Sequence, residues 1–414
     1  MKVVLPRLRL RSAPRPLTLA TLATLAALAL SLGCSNSTDD ADDAAAQTAV
    51  IDNYAANVAA NYADTLKTAK RLQTSIHAFV DAPSAESLAD AKKAWLASRD
   101  PYGLSEAYRF YQGPIDNDDT DDDIADGPEP LMNSWPLDES VIDYVAGEDG
   151  KPLEGGIINL PADYPTIDAA TLSAENAKAS ETSITTGYHA IEFLLWGQDF
   201  NPDGPGDRPY TDYVVGDAGT AENQDRRGQY LTTLADLLVA DVEEVNSAWL
   251  DGEKNYRADF QAASPLPTLG KIFLGMGSLS GAELSGERMG VAYKLKDQED
   301  EHSCFSDNTL ADLHNNATSI RNVLTGTYGD NDGPGVDDLI EKKDAALAQK
   351  LRDGIQEAID NIDAIDTPFD QAILGDDTPE RKHIKAAIDA LHTFTTDLQQ
   401  AAKVLGVPLD LESQ

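Results

Sequence analysis

The chain has 414 residues, with 32 Lys and Arg against 71 Asp and Glu, and a formal net charge of −39. The first 33 residues hold five of those bases and no acid, so the rest keeps 27 bases against the same 71 acids. A surface that acidic repels phosphate and argues against a nucleic-acid binder. At 42% hydrophobic residues the chain is globular, and its length suits about two domains with real cores.

The N-terminus reads as an address. Bases through Arg15 precede an apolar run, Leu17 to Leu32, that ends in Ser31-Leu32-Gly33-Cys34. The run is short for a membrane span and ends in small residues, so residues 1–33 are expected to be a signal peptide. Gly33-Cys34 resembles a bacterial lipobox, although Ser31 stands where Leu is usual. Cys34 is then the lipidated first residue, and the Ser/Asp/Ala-rich stretch 34–46 is a lipid-anchored tether. Ser35 after the Cys favours the outer membrane of the bacterial envelope, facing the periplasm. Ordinary secretion with cleavage nearby is the alternative. Cys304 is the other cysteine, so the fold relies on its core rather than on an internal disulfide. It reads as a small buried hydrophobe, with a reactive nucleophile as the other choice.

Helical periodicity dominates the body. Residues 47–81 place Val50, Tyr54, Val58, Tyr62, Leu66, Leu72, Ile76 and Phe79 at helical spacing, with no Pro or Gly. Pro83-Ser84 breaks that run, and Ser84 starts a second helix through Trp95. Residues 116–165 are loop-like. A long helix is expected over 172–196, stopped by Gly197. Further helices are expected at 223–250, 267–296, 306–325, 336–364 and 378–404. No strand-and-turn rhythm is visible. The expected fold is all-α: two antiparallel helical bundles, 47–205 and 221–410, packed around an interface site.

The sharpest motif is Gly187-Tyr188-His189-Ala190-Ile191-Glu192-Phe193-Leu194-Leu195-Trp196-Gly197. His189 and Glu192 are three apart, so they share one side of a helix that is otherwise apolar nearly all round. Such a helix is buried. Its imidazole and carboxylate must then be paired with each other, protonated, or bound to a metal. Gly187 suggests the close approach of another backbone or of a ligand. The zinc-protease helices HExxH and HxxEH both fail here, because Ala190 and Phe193 stand where they need Glu or His. Any metal therefore needs ligands from elsewhere in the chain.

At this motif the chain resembles the imelysin family, also called the M75 peptidase family, whose signature is GxHxxE. Two further segments support the likeness. Trp95-Leu96-Ala97-Ser98-Arg99-Asp100-Pro101-Tyr102 continues into Ser105-Glu106-Ala107-Tyr108-Arg109-Phe110 and Gly113-Pro114-Ile115-Asp116. Glu299 to Asn308 is similar to the subgroup called iron-regulated protein A. The likeness covers about residues 47–405. It implies a bacterial envelope protein of two helical bundles, with the GxHxxE site near their interface, linked to iron uptake and regulation. The peptidase label comes from insulin-cleaving members.

The supporting residues also read on their own chemistry. Arg99 and Glu106 lie seven apart and share a face if the helix passes Pro101. Arg99 either pairs with a carboxylate or neutralises an anionic ligand. Glu283 and Glu287 are four apart beside the Gly-rich run 275–281, and Arg288 offers Glu287 a salt bridge. Glu301, His302 and Asp307 offer oxygen and imidazole donors that iron or zinc accepts; a solvated acidic helix end is the plainer choice. The Asp119-x-Asp121-x-Asp123 run lacks the glycine of an EF-hand.

The favoured function is a non-enzymatic envelope lipoprotein that captures iron or an iron-bearing small ligand, with His189 and Glu192 as metal ligands. Arg99, Glu106, Glu283, Glu287, Arg288, Glu301, His302 and Asp307 are expected around them. Zinc is the alternative metal. The membrane is met through the lipid anchor alone, and other envelope proteins are the further class of partner. The rival functions are a metallopeptidase, with Glu192 as ligand or base, and a structural or signalling protein.

Overall fold

Long helices carry the regular structure of the computed structural model, which describes residues 37–117, 127–146, 152–153, 155–201, 203–252 and 254–411. The leader, Cys34 and the acidic run Asp118 to Asp126 lie outside the described residues. The first helix, Ser37–Asp81, buries Val50, Tyr54, Val58, Tyr62, Leu72, Ile76 and Phe79, the stripe that a 3.6-residue period lays along one face. It begins inside the stretch read as a tether. Ser84 then caps Ala85–Gly103: its hydroxyl accepts from the Ser87 amide, and the Ser87 hydroxyl accepts from the Ser84 amide. This helix runs past Trp95 and through Pro101, further than the sequence suggests.

The single helix expected over 172–196 is in fact two, Ala169–Glu175 and Gly187–Trp196. Polar side chains between them take the backbone groups a helix needs. Asn176 Oδ1 accepts the Thr185 amide at 2.9 Å, and the Thr185 hydroxyl donates to the Leu172 carbonyl at 2.7 Å.

The second half contains Gln224–Trp249, Tyr256–Ala262, Pro265–Ser278, Thr309–Thr325 and Pro379–Leu405. The helix expected at 267–296 changes its winding partway, to a π-helix over Leu279–Val291, and returns to α at Ala292–Leu295. The one expected at 336–364 splits into Val336–Glu341 and Ala345–Asp363, because Asp344 caps the second piece by accepting the Leu347 amide. Among the described residues, strand is confined to two antiparallel ladders, Val145–Ala146 with Pro152–Leu153 and Thr327–Tyr328 with Asn331–Asp332. The fold is all-α.

Packing brings the site together. Gly187–Trp196 lies against both Ala85–Gly103 and Gln224–Trp249. Thr309–Thr325 packs on Ala345–Asp363 and also on Ala85–Gly103. Helices from the two halves of the chain therefore touch directly, and the described residues from 42 onward form one compact unit.

Candidate functional site

All ten residues of Gly187–Trp196 are buried, as its apolar circumference predicts. Three aromatic donors fix it from outside: Trp95 Nε1 to the Tyr188 carbonyl at 3.0 Å, Tyr213 to Leu194 at 2.6 Å and Tyr230 to Thr185 at 2.8 Å. Gly187 sits at φ +86°, and a Cβ there would lie 2.5 Å from the Met132 carbonyl oxygen. The close approach expected at this glycine is thus a backbone, and it seats Asn133 beside the helix.

His189 and Glu192 do meet. Nδ1 of His189 is 2.9 Å from Glu192 Oε2. The other carboxylate oxygen accepts two bonds from Ser306, from its amide at 2.9 Å and its hydroxyl at 2.7 Å. Both Glu192 oxygens are therefore taken, and the carboxylate orients the imidazole. His302 repeats the device from another segment. Its Nδ1 is 3.1 Å from Asp312 Oδ2, and its ring lies 4.8 Å from that of His189. Both Nε2 atoms are buried without a hydrogen-bond partner.

An arginine network surrounds the pair. Arg99 donates through Nε to Asp312 at 3.1 Å and through Nη1 to Asn133 Oδ1 at 2.6 Å. The Ala85–Gly103 helix ends before Glu106, which lies in a 3₁₀ turn, Glu106–Tyr108. Glu106 Oε2 takes Arg109 at 2.8 Å and Arg288 at 2.9 Å, while Oε1 stays unpaired. Gly275 lets this turn approach, since a Cβ there would stand 2.4 Å from the Ala107 carbonyl oxygen. The π-helix sets Arg288: its partner Glu283 is five residues back, a spacing that π-winding brings onto one face.

Electrostatics divides the carboxylates. Burial pushes Glu106 up, but Arg288 and Arg109 outweigh it and hold the group at about 2. Burial likewise opposes ionisation of Asp312, and Arg99 with His302 wins, holding it well below the usual range. Glu192 has no arginine bonded to it. Burial raises it to about 8, only partly offset by Ser306. Burial and Arg99 push His189 well down, and burial with Arg288 takes His302 to about 3. Both imidazoles are neutral, the form that binds metal.

The structure thus gathers His189, Glu192, Arg99, Glu106, Glu283, Arg288 and His302. It leaves Glu287 exposed, because Arg288 turns to Glu283 and Glu106 instead. Glu301 is buried, and burial, with Asp370 nearby, raises its pKa well above the usual range. Asp307 is half-buried and raised to about 6 by burial and by Asp199 and Asp370. Those two belong to an adjoining acidic group. Cys304 is a free, partly buried thiol that burial and Glu192 push up, which disfavours the thiolate of a nucleophile. Sequence reasoning missed Asp312, Asn133 and Ser306. Asp312 had one signal, its place in the helix next after His302.

The donor chemistry suits a metal. The two unpaired imidazole nitrogens are donors that iron and zinc accept. The two rings lie 4.8 Å apart, so both could serve one bound ion. Among the described residues no three His, Cys, Asp or Glu side chains converge as ligands, so further ligands would come from water or a bound molecule.

Comparison with known proteins agrees with this fold. The family model for Imelysin (peptidase M75) matches residues 58–398. Iron-regulated protein A of Synechococcus elongatus is 24% identical over 325 residues, 76% of this chain and 74% of that protein. The crystal structure of a candidate iron-regulated protein A precursor from Parabacteroides distasonis superposes with a TM-score of 0.64 at 20% identity, covering 87% of this chain and 95% of that one. An imelysin-like protein from Psychrobacter arcticum gives a TM-score of 0.60 at 14% identity, covering 88% and 96%. The chain belongs to the imelysin family.

Proposed function

We propose that this protein is an exported envelope lipoprotein that binds iron, or a small iron-bearing ligand, at the buried His189–His302 pair, in iron uptake or an iron-regulated process. One observation carries the reading. Two imidazoles meet edge to face with their rings 4.8 Å apart, each with Nδ1 against its own carboxyl group, and each keeps an unpaired, buried Nε2. A carboxylate bonded to the far nitrogen is the device that orients metal-binding histidines. The iron-regulated name of its relatives supports iron as the metal. The basic, apolar leader ending at Cys34 supports export and anchoring.

Binding is favoured over peptide hydrolysis. With His189 at 2% and Glu192 at 0% exposure, a polypeptide has no access to the pair. Metal analysis of the protein as isolated and anaerobic calorimetry with Fe²⁺ test the reading. Wild type binds, and His189→Ala and His302→Ala lose binding. Absence of binding in wild type, or unaltered binding by both variants, overturns it.

A further inference from the structure

We propose that the chain binds a small aromatic carboxylate in a cavity at the C-terminal end of the GxHxxE helix, with the carboxylate on Arg208 and the ring against Trp196, Tyr144 and Phe200. The cavity wall includes neither His189 nor His302, so this inference stands apart from the metal reading.

The helix ends at Gly197, at φ +74°, in a loop that doubles back on it. The Arg208 amide donates to the Trp196 carbonyl at 2.7 Å. Gly206 passes so close that a Cβ there would stand 2.8 Å from the same carbonyl oxygen. Gln198 Oε1 accepts the Ala146 amide at 2.7 Å, which brings the segment after Tyr144 alongside. These pieces enclose a cavity of about 410 Å³, room for a ligand of one or two rings. Trp196 is a buried part of its wall, whereas Phe200 is 71% exposed. A flat apolar ligand would cover the Phe200 ring and take it out of water.

Arg208 supplies the polar group. It is buried, and its guanidinium centre lies 5.2 Å from the Tyr144 ring and 5.1 Å from the Phe193 ring. Its side-chain bonds leave from Nη1, to Asp143 at 2.8 Å and to Asp212 at 3.3 Å. Its Nε has no partner. Arg227, in the same network, shows what that edge does when it is used: Nε and Nη2 hold Asp143 side-on, at 2.6 and 2.8 Å. Such a fork matches a carboxylate. On Arg208 it turns towards Gly197, where a Cβ would stand 3.6 Å from Nε, and both residues line the cavity.

Charge favours an anion over a neutral ligand. Arg208 and Arg227 are balanced by Asp143 and Asp212. Lys92 is the surplus. Its Nζ lies 5.2 Å over the Trp196 ring, and it is partly buried. Asp207, the acid that acts on it, is exposed and screened by water. One bound carboxylate would bring the group to balance.

Calorimetry with benzoate and naphthoate tests this. Benzamide keeps the ring and lacks the charge; cyclohexanecarboxylate keeps the charge and lacks the aromatic ring. Wild type is expected to bind at least one aromatic carboxylate, and to bind both controls roughly tenfold more weakly or not at all. Phe200→Ala removes an exposed ring, and Lys92→Gln removes the surplus charge. Both are expected to fold and to weaken binding roughly fivefold or more. Arg208→Lys keeps the charge and loses the fork, and with folding checked by circular dichroism it should abolish binding. No binding of either aromatic carboxylate by wild type, equal binding of either control, or wild-type affinity in both Phe200→Ala and Lys92→Gln overturns the proposal.

Discussion

The rings of His189 and His302 meet at 4.8 Å with their planes 65° apart, although one comes from the GxHxxE helix and the other from a turn 113 residues later. Their supports differ. Neutral Ser306 groups hold Glu192, whereas Arg99 holds Asp312 as an anion.

Asp312 is the more critical support for the fold. It accepts from Arg99, His302, Ser303 and Asn308, and it is fully buried. Asp312→Ala strands the buried Arg99 cation, at a cost of about 3–5 kcal/mol. Glu287→Ala, at an exposed position, is expected to change stability by less than about 0.5 kcal/mol. Denaturant unfolding of the two variants measures the contrast, and similar small losses in both would contradict it.

The metal-free protein should lose stability on both sides of neutrality. Histidines titrate near 6.5 when unfolded, and here His302 is lowered to about 3 and His189 is well below its ordinary value. A lowered folded-state pKa gives stability that is full above about 6.5 and is lost as pH falls below it. Glu192 has the opposite sign. Raised to about 8, it contributes fully below about 4.5 and loses that contribution as pH rises through 8. Melting temperatures from pH 4 to 9 check this. His302→Gln should flatten the acid limb and Glu192→Gln the alkaline limb; limbs of unchanged slope would refute the assignment.

Local spacing made half of the site legible. His189 and Glu192 are one helical turn apart, and their bond follows from that turn once the helix is buried. The other half is non-local. Arg99 finds Asp312 across 213 positions, and no periodicity encodes such a pair. Glu287 shows a different failure. Its i,i+4 spacing from Glu283 assumes α-winding, and the π-helix moves Arg288 onto Glu283 instead. The buried helix over 187–196 was readable from hydrophobicity. Its true start was hidden, because Asn and Thr side chains break the backbone ladder between 176 and 186 without a Pro.

Gly187 is expected to tolerate no side chain. Ala there would meet the Met132 carbonyl oxygen at 2.5 Å in a left-handed backbone conformation. The strain alone costs about 1–3 kcal/mol, and relief requires moving the segment that carries Asn133. Gly286→Ala is the control, since a Cβ there meets nothing within 4 Å. It should be neutral or stabilising by up to about 1 kcal/mol. Unfolding curves separate the two, and equal effects would show that the contact at Met132 is easily relieved.

Glu192→Gln tests whether this carboxylate binds the metal or sets the imidazole. Ser306 donates two hydrogen bonds to Oε1, so the amide oxygen of Gln takes that place and its NH₂ faces His189. The NH₂ donates to Nδ1, which moves the ring proton to Nε2 and removes the lone pair a metal needs. The variant should fold with its helix intact and bind Fe²⁺ at least tenfold more weakly. Asp312→Asn is the matching change behind His302, with Arg99 still able to donate to the amide oxygen. Calorimetry on both, with circular dichroism as the check on folding, reads the effect. Wild-type affinity in a folded Glu192→Gln protein would mean that the tautomer of His189 does not control the site.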